Sequence, residues 1–401
     1  MICSRNFAYI IIILSFPLQF GFHMNFFTHG APDIQSGWNM SKVSPFLLDV
    51  ANRITNYFGA VFSVITIFIN YKSKKRRLLI TIMYSISGVI WLIFLAITDS
   101  NIWLSIVLRA FNGIFLGFFQ SSYTSYLMHF SREKIFGFHT SLVEVTVALS
   151  ISILNIMFYV MNWKIIAVIL SVQSFMFGGL IWLVPELFTV PKSYSRQYIH
   201  RSPHIQNTLV MVGIMILQCF SGIGFMIDNC SRLLSDIGIN LNAYIQLAFV
   251  NLISCVSAFI GAFIVDAVGI SSMWAFSSFG ITASLIIYDV TLKVVCPKWV
   301  GVFGVFLYFL FFGLGEGTVP WMLCGLIFPE SLMIESGGIN TFTNQFMGIW
   351  FGYFQNVLID KFTEFGAVLF SAVISFLAIF FGLFLIPNIK KTYQTENITV
   401  F

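Results

Sequence analysis

The chain has 401 residues, of which 58% are hydrophobic and only 9% are charged, and its formal net charge is +5 at neutral pH. Such an apolar composition excludes both an ordinary water-soluble domain and an intrinsically disordered chain. The small basic excess is spread over many short polar segments, so we expect no nucleic-acid partner. The composition therefore predicts a protein that is embedded in a lipid bilayer.

Twelve apolar stretches follow one another along the chain, each close to the ~20 residues that a helix needs to cross a bilayer. Because every backbone amide inside lipid must be paired within the chain, stretches of this length form helices. We predict membrane-spanning helices, named spans 1 to 12, over 6–24, 46–69, 78–98, 101–129, 136–160, 165–184, 207–227, 240–265, 271–290, 299–327, 338–359 and 365–387. The predicted fold class is an all-α polytopic membrane protein with 12 transmembrane helices in two six-helix bundles.

Lysine and arginine residues in the loops predict the orientation, because basic residues are retained on the cytoplasmic side during insertion. An even number of spans places both termini on the same side. With both termini inside, cytoplasmic loops hold about twice as many basic residues as outer loops, including the largest basic run at 72–77. We therefore expect a multi-pass protein with both termini cytoplasmic.

The longest polar interruption, residues 185–206, contains three prolines and three basic residues, a composition typical of a linker outside the bilayer. It separates an N-terminal six-helix bundle, 1–184, from a C-terminal six-helix bundle with a short cytoplasmic tail, 207–401. Two such halves are typical of transporters that hold the substrate between repeated bundles near the midplane of the membrane.

The six cysteines are scattered without a paired spacing, so we expect no disulfide framework, no metal site and no cofactor. The triplet Asn39-Met40-Ser41 lies in the predicted outer loop between spans 1 and 2 and forms a glycosylation acceptor sequence. Two interpretations stay open, a glycosylated asparagine and a chance occurrence of the triplet.

Span 10 contains Gly313, Gly315 and Gly317, followed by Pro320. Missing side chains and a missing amide donor allow a helix to break and to expose backbone polar groups, and such breaks mark binding sites in transporters. We predict a hinge formed by Gly315, Gly317 and Pro320; the alternative is close helix packing through small residues. The neighbouring Trp321 can stack against a sugar ring or serve as a packing residue.

Four segments carry motifs in a fixed order. They are Gln19-Phe20-Gly21-Phe22-His23 in span 1, Leu108-Arg109 with Gly113 in span 4, Gln218-Cys219-Phe220-Ser221-Gly222-Ile223-Gly224 in span 7 and Gly315-Glu316-Gly317-Thr318-Val319-Pro320-Trp321 in span 10. These motifs resemble those of the sugar porters of the major facilitator superfamily, especially the facilitative glucose transporters. The resemblance implies the major facilitator fold and a monomer in the plasma membrane. It also implies transport of a hexose or related small polar solute by alternating access between two helix bundles.

The resemblance further implies a substrate site. Gln218 and Trp321 match the family's ligands, and Glu144 occupies the span 5 position where sugar porters have a glutamine. The implied substrate-binding residues are Gln218, Trp321, Glu144, Asn344, Cys219, Gly224 and Ser254. Cys219 and Gly224 replace amide side chains of the family. This replacement removes hydrogen-bond partners for a hexose, so the substrate can differ from a hexose.

Two titratable residues inside the spans suggest a further role. His23 stands where many facilitators have asparagine and many proton symporters have aspartate, and Glu144 is far in sequence from any other charge. A carboxylate at that depth must face a cavity or be neutral. Together, His23 and Glu144 indicate proton coupling, or a substrate with a cationic or amine group. The alternative is a buried neutral histidine and a protonated glutamate without this role.

The family places a clamp of charged residues at the cytoplasmic ends of its spans, and the resemblance implies an incomplete clamp here. His129 and Leu326 stand where the family has acidic residues, whereas Asp266 at the end of span 8 remains. We therefore expect a weaker clamp and a shifted balance between conformations.

A solute carrier is the leading interpretation of the whole sequence. A proton-coupled symporter of a sugar or other small solute and a non-transporting nutrient sensor are the alternatives, and the replaced ligand and clamp residues support the sensor. An enzyme is not expected, because no set of nucleophile, base and orienting group and no metal-binding spacing appears. The pattern of two bundles argues against a channel.

Overall fold

The computed structural model describes residues 2–35, 45–73, 75–96, 102–131, 136–186, 204–227, 241–329 and 332–387. Within these ranges the chain is helical apart from short turns, and they contain no β-strand. The triplet at Asn39 and most of the predicted linker 185–206 lie outside the described residues.

The helices agree with the predicted spans to within a few residues at most boundaries. Spans 1 to 6 are Ile2–Ile13 with Ser15–Gln35, Pro45–Lys72, Arg76–Ile93, Ile102–Phe130, Phe136–Val160 and Trp163–Leu180. Spans 7 to 10 are His204–Phe220, Ala243–Val268, Ile270–Lys293, and Lys298–Phe311 with Val319–Leu326. The predicted all-α fold class is confirmed. The largest difference is span 1, which continues to Gln35.

Spans 11 and 12 are joined into one helical segment of 53 residues, Met333–Leu385. Thr363 interrupts this segment with φ of 67° and ψ of 174°, a conformation that a β-branched residue rarely adopts. Eleven helical segments of the described residues are long and apolar enough to cross a membrane, and the break at Thr363 divides the last of them into two. The structure thus contains the 12 predicted spans.

The outer surface of the spans is apolar, whereas many polar side chains are buried. Val172, Phe263 and Phe384 are largely exposed, while Asn112 and Ser174 are fully buried. A water-soluble protein has the opposite distribution, and lipid tails are the surroundings in which this one is stable. The protein is an integral, multi-pass membrane protein.

The helices group into two compact units. Unit 1 comprises Met1–Ser131, Ser150–His200 and Phe328–Ile349; unit 2 comprises Arg132–Leu149, Arg201–Ile327 and Trp350–Phe401. The first part of span 5 therefore belongs to unit 2, and the first part of span 11 belongs to unit 1. The predicted bundles 1–184 and 207–401 follow a different division and stay a prediction.

Asp266, at the end of span 8, holds the start of span 5 within unit 2. The backbone amides of Gly137 and Phe138 donate to its two carboxylate oxygens, each at 3.1 Å. Amides in the first turn of a helix have no partner within the helix, and a carboxylate there also meets the positive end of the helix dipole. The acid that we expected as a remnant of the clamp thus binds backbone amides.

Replacing Asp266 with alanine should lower the melting temperature of the purified protein, because two amides of span 5 lose their partner at once. The loss of a helix cap costs about 1 kcal/mol. Thermal unfolding in detergent, followed by tryptophan fluorescence, measures this change. Asp360→Ala removes an exposed carboxylate at the end of span 11 and should leave the midpoint unchanged. Equal midpoints for Asp266→Ala and the wild type would contradict the capping role.

Unit 1 depends on close packing between span 4 and span 2. A side-chain carbon added at Gly113 would lie 2.7 Å from Cβ of Phe58 and 3.0 Å from the backbone nitrogen of Gly59. A carbon added at Gly117 would lie 2.9 Å from the backbone nitrogen of Ser63. Carbon atoms do not approach backbone atoms so closely, so only glycine allows these two helices to touch.

Gly113→Ala should therefore destabilise the protein strongly. The added methyl group meets backbone atoms that cannot rotate away, and overpacking of this kind costs about 1–3 kcal/mol. The yield of monodisperse protein and its melting temperature in detergent measure the effect. Gly179→Ala is the matched control, because a carbon added at Gly179 would have no neighbour within 4 Å. Similar behaviour of the two variants would refute the packing argument.

Candidate functional site

Span 10 is interrupted within unit 2. A single π-helical turn, Phe312–Glu316, separates its two helices, and the Gly317 amide donates to the Phe312 carbonyl five residues earlier at 2.8 Å. Pro320 has no amide hydrogen, so the Glu316 carbonyl lacks its usual partner four residues later. The backbone is thus broken where the sequence predicts a hinge; movement at this point stays a prediction.

Gln218 of span 7 supplies the missing donor. Its side-chain nitrogen donates to the Glu316 carbonyl at 2.7 Å and lies 3.5 Å from the Gly317 carbonyl. Its side-chain oxygen is buried and has no hydrogen-bond partner among the described residues. A buried acceptor without a partner costs about 1–3 kcal/mol. Gln218 therefore holds the broken span with its nitrogen and offers its oxygen to a ligand.

Glu316 is fully buried at the break and is held by two serines of span 9. The hydroxyl of Ser278 donates to Oε1 of Glu316 at 2.7 Å, and the backbone amide of Glu316 donates to Oγ of Ser277 at 2.8 Å. Its second carboxylate oxygen, Oε2, has no partner in the part of the chain that the structure describes.

Glycines allow span 10 to approach its neighbours this closely. A carbon added at Gly315 would lie 2.6 Å from Cβ of Ser277 and 2.7 Å from the carbonyl oxygen of Met273. A carbon added at Gly313 would lie 3.0 Å from the backbone carbonyl carbon of Ser254. Close packing, the alternative considered for these glycines, therefore applies to Gly313 and Gly315. Pro320 acts differently, because it leaves the Glu316 carbonyl without a partner within the helix.

Glu144 of span 5 reaches the same break. A carbon added at Gly317 would lie 3.0 Å from both the carboxyl carbon and Oε1 of Glu144. The carboxylate therefore rests against the bare Cα of Gly317. Glu144 is 8% exposed, and no described residue donates a hydrogen bond to its carboxylate. Cys255 lies beside it, with its thiol 3.5 Å from the Val145 carbonyl. Gly317 thus brings Glu144 and Gln218 to one place.

The other predicted ligands of unit 2 lie on span 10 itself or on the neighbouring spans 7 and 8. Trp321 follows Gly317 by four residues on span 10 and is 6% exposed. Cys219 and Ser254 are buried on spans 7 and 8. Gly224 has no atom within 4 Å of the point where a side chain would begin, so the missing side chain leaves open space.

Asn344, the last predicted ligand, lies on span 11 and belongs to unit 1. Its side-chain oxygen accepts from the side-chain nitrogen of Gln345 at 3.3 Å. The structure therefore brings Gln218 and Glu144 together at Gly317, with Trp321 four residues further along span 10, and places Asn344 in unit 1.

His23 is buried in unit 1 with a partner for each ring nitrogen. Nδ1 lies 3.0 Å from Oδ1 of Asn112 and Nε2 lies 2.9 Å from Oγ of Ser87, and the ring stacks on Trp91 with centroids 4.8 Å apart. When Nδ1 carries the proton, it donates to Asn112 and Nε2 accepts from Ser87, so a neutral imidazole satisfies both contacts. The geometry agrees with the buried neutral histidine considered above, and proton coupling stays a prediction.

Arg109, whose partner the sequence does not reveal, lies against spans 1 and 2. Its Nη1 donates to the Ala51 carbonyl at 2.5 Å, and its guanidinium carbon lies 4.3 Å from the centre of the Phe27 ring. Guanidinium groups bind both carbonyl oxygens and aromatic faces. Sequence reasoning missed Ala51 because a backbone carbonyl has no signature in the residue type.

Contacts at the predicted cytoplasmic ends of unit 1 bear on the clamp. The Tyr71 hydroxyl donates to the carboxylate of Glu335 at the start of span 11, and Nε of Arg77 pairs with Glu186 at 2.9 Å. These contacts and the Asp266 contact of unit 2 join the ends of spans 2 and 11, 3 and 6, and 8 and 5, and the expected weaker clamp stays a prediction.

Sequence reasoning also missed Ser277 and Ser278, which hold Glu316. The available signal was a pair of adjacent hydroxyl residues in an apolar helix, and small polar residues are common wherever helices pack in membranes. A buried acid does require a hydrogen-bond donor. Nothing in the sequence indicates which span provides that donor.

Comparisons with known proteins identify a family model and relatives that are similar to this chain. A family model described as sugar (and other) transporter matches residues 188–401. The facilitated trehalose transporter Tret1 of Apis mellifera ligustica is 24% identical over 152 residues, which cover 36% of this chain but only 30% of that relative. Sugar transporter ERD6-like 6 of Arabidopsis thaliana is 22% identical over 447 residues, which cover 96% of this chain and 88% of that relative.

A solved structure of a major facilitator superfamily proton:xylose symporter, bound to 6-bromo-6-deoxy-D-glucose, has a TM-score of 0.79 with this protein. The match covers 97% of this chain and 98% of that chain at 15% identity. The likeness confirms the predicted major facilitator fold. Because the family model matches more than half of the residues, the chain belongs to the sugar (and other) transporter family.

Proposed function

We propose that this protein carries a sugar or a related small polar solute across a membrane by alternating access between two helix bundles. Membership of the transporter family supports the proposal. The observation that carries it is Gln218, whose nitrogen is bonded to a carbonyl freed inside span 10 and whose oxygen is left for a ligand. Interrupted helices with exposed backbone groups are typical of solute sites in transporters.

The proposed site combines polar and flat surfaces from unit 2. Gln218 and Glu144 accept hydrogen bonds from the solute, and Trp321 offers the face of its indole to an apolar side of the solute. Cys219, Ser254 and Gly224, with Asn344 of the other unit, are the remaining ligands that the resemblance implies. In this proposal the protein is a monomer in the plasma membrane with both termini cytoplasmic, as loop charges and the resemblance favour.

Uptake into proteoliposomes tests the function. Labelled hexoses, pentoses and trehalose are offered to the purified full chain, with and without an inward proton gradient. A facilitator takes up at least one of these solutes without the gradient. Liposomes without protein provide the background, and an uptake equal to this background for every solute would contradict the proposal.

A proton-coupled symporter is the second candidate, because the Glu144 carboxylate lies at the break without a hydrogen bond from the described residues. It predicts uptake that rises with the proton gradient and falls when the gradient is removed by an ionophore. The sensor alternative predicts saturable binding of a solute without uptake, so the same proteoliposomes distinguish all three.

A further inference from the structure

Among the described residues, the buried side-chain atoms that lack a partner at the break in span 10 are hydrogen-bond acceptors. Gln218 Oε1 and Glu316 Oε2 are buried and lack partners among the described residues, and the Glu144 carboxylate receives no hydrogen bond from them. Of the two hydroxyls beside Glu316, Ser278 donates to its Oε1, and Ser221 donates to the Gln218 carbonyl at 2.8 Å. A sugar hydroxyl both donates and accepts, whereas an ammonium group only donates. The break is therefore better matched to an ammonium group.

Two carboxylates lie at the break, and the helices around it carry basic residues only at their ends, namely His139, His204, Lys293 and Lys298. The helices Phe136–Val160, His204–Phe220, Ala243–Val268 and Val319–Leu326 contain neither lysine nor arginine. In span 9, Lys293 is the final residue of its helix. A carboxylate inside a membrane is costly unless it is paired with a positive charge or neutralised. A cationic ligand would provide the pairing charge that these helices lack at the break.

The ring of Phe312 lies next to the Glu144 carboxylate. The point where a side chain on Gly317 would begin is 3.0 Å from Cε1 of Phe312 as well as from the Glu144 carboxyl carbon. Trp321 follows on the same helix one turn later. The faces of aromatic rings attract ammonium groups, most strongly where water is excluded. A carboxylate, an amide oxygen and aromatic rings together form the chemistry that recognises a protonated amine.

We propose that unit 2 selects a small polar solute with a protonated amine, such as an amino sugar, and that Glu144 pairs with this amine while Gln218 accepts one of its hydrogens. This inference rests on the proposed transport function and narrows its substrate class. A proton bound to Glu144 is the other possible source of positive charge, and the test separates the two.

The test compares three labelled probes in proteoliposomes of the full chain, at pH 6.5 on both sides and without an ion gradient. D-glucosamine carries the charged amine, N-acetyl-D-glucosamine has a neutral amide at the same carbon, and D-glucose has a hydroxyl there. We expect uptake of D-glucosamine to exceed that of either neutral sugar at least about tenfold. In Glu144→Gln the ratio of D-glucosamine uptake to neutral-sugar uptake should shrink to within about twofold, whatever the absolute rate of the variant. Asp360→Asn, at an exposed carboxylate, should keep the full preference.

Each outcome decides one of the two proposals. Equal or better uptake of the neutral sugars by the wild type overturns the amine inference, and it does so even if Glu144→Gln fails to fold. The same probes are then offered with an inward proton gradient; neutral-sugar uptake that requires this gradient, again without preference for D-glucosamine, also overturns the inference and assigns the charge to a proton. No uptake of any probe, in the wider solute panel as well, contradicts transport itself.

Discussion

Replacing Pro320 with alanine should raise the thermal stability of the protein and abolish transport. Alanine restores an amide hydrogen that can bond to the Glu316 carbonyl four residues earlier, so that span 10 becomes continuous. Pro320 lies in the first turn of the helix Val319–Leu326, where proline is tolerated, so the gain in stability comes from the added hydrogen bond and is about 1 kcal/mol. In a continuous helix the Glu316 carbonyl is occupied by the new amide and no longer needs the side chain of Gln218. The interruption that the proposed transport cycle requires is then lost.

Melting in detergent and uptake in proteoliposomes measure the two effects on the same preparation. Pro297→Ala is the control, because Pro297 is exposed and precedes the first helix of span 10, away from the break; its uptake should equal that of the wild type. Wild-type uptake by Pro320→Ala would show that the interruption is not needed. A lower melting temperature would show that the proline ring itself stabilises the packing.

Replacing Gln218 with methionine, which keeps the length of the side chain, should lower uptake about a hundredfold. The variant loses the acceptor offered to the solute and leaves the buried Glu316 carbonyl without a donor, and each loss costs about 1–3 kcal/mol. Initial rates of uptake over a range of solute concentrations measure the effect.

Gln246→Met is the matched control for this variant. The Gln246 amide is also buried and donates to a backbone carbonyl, that of Leu241, at 2.8 Å. Both variants should lose some stability, but only Gln218→Met should lose uptake. Combining Gln218→Met with Pro320→Ala should reduce the loss of stability, because the new amide replaces the donor that Gln218 supplied. Unchanged uptake by Gln218→Met would remove this residue from the site.

Hydropathy was sufficient to predict most helices, because inside lipid an apolar stretch can satisfy its backbone only as a helix. Span 5 was predicted over 136–160 and occurs as Phe136–Val160. Span 1 was predicted to end at residue 24, yet its helix continues to Gln35. The side-chain nitrogen of Asn25 donates to the Gly21 carbonyl at 2.9 Å, so a polar residue typical of a loop is satisfied within the helix.

The candidate site was predictable in its residues and not in its contacts. Pro320 indicated the break, because the effect of proline on a helix is local. The resemblance indicated Gln218 and Glu144, and the structure brings both to Gly317. The serine that holds Glu316, Ser278, is 38 positions away along the chain, and helix packing at that distance leaves no periodic pattern in the sequence.

The turn at Thr363 joins spans 11 and 12 without a flexible loop between them. Where a loop of several residues joins two helices, each can rotate about its own axis without moving the other. Here a single non-helical residue joins them within Met333–Leu385, so a twist in one helix is passed directly to the other. An epitope tag or fluorescent reporter inserted at this turn would uncouple the two helices, which makes this end of the molecule a poor position for engineered insertions.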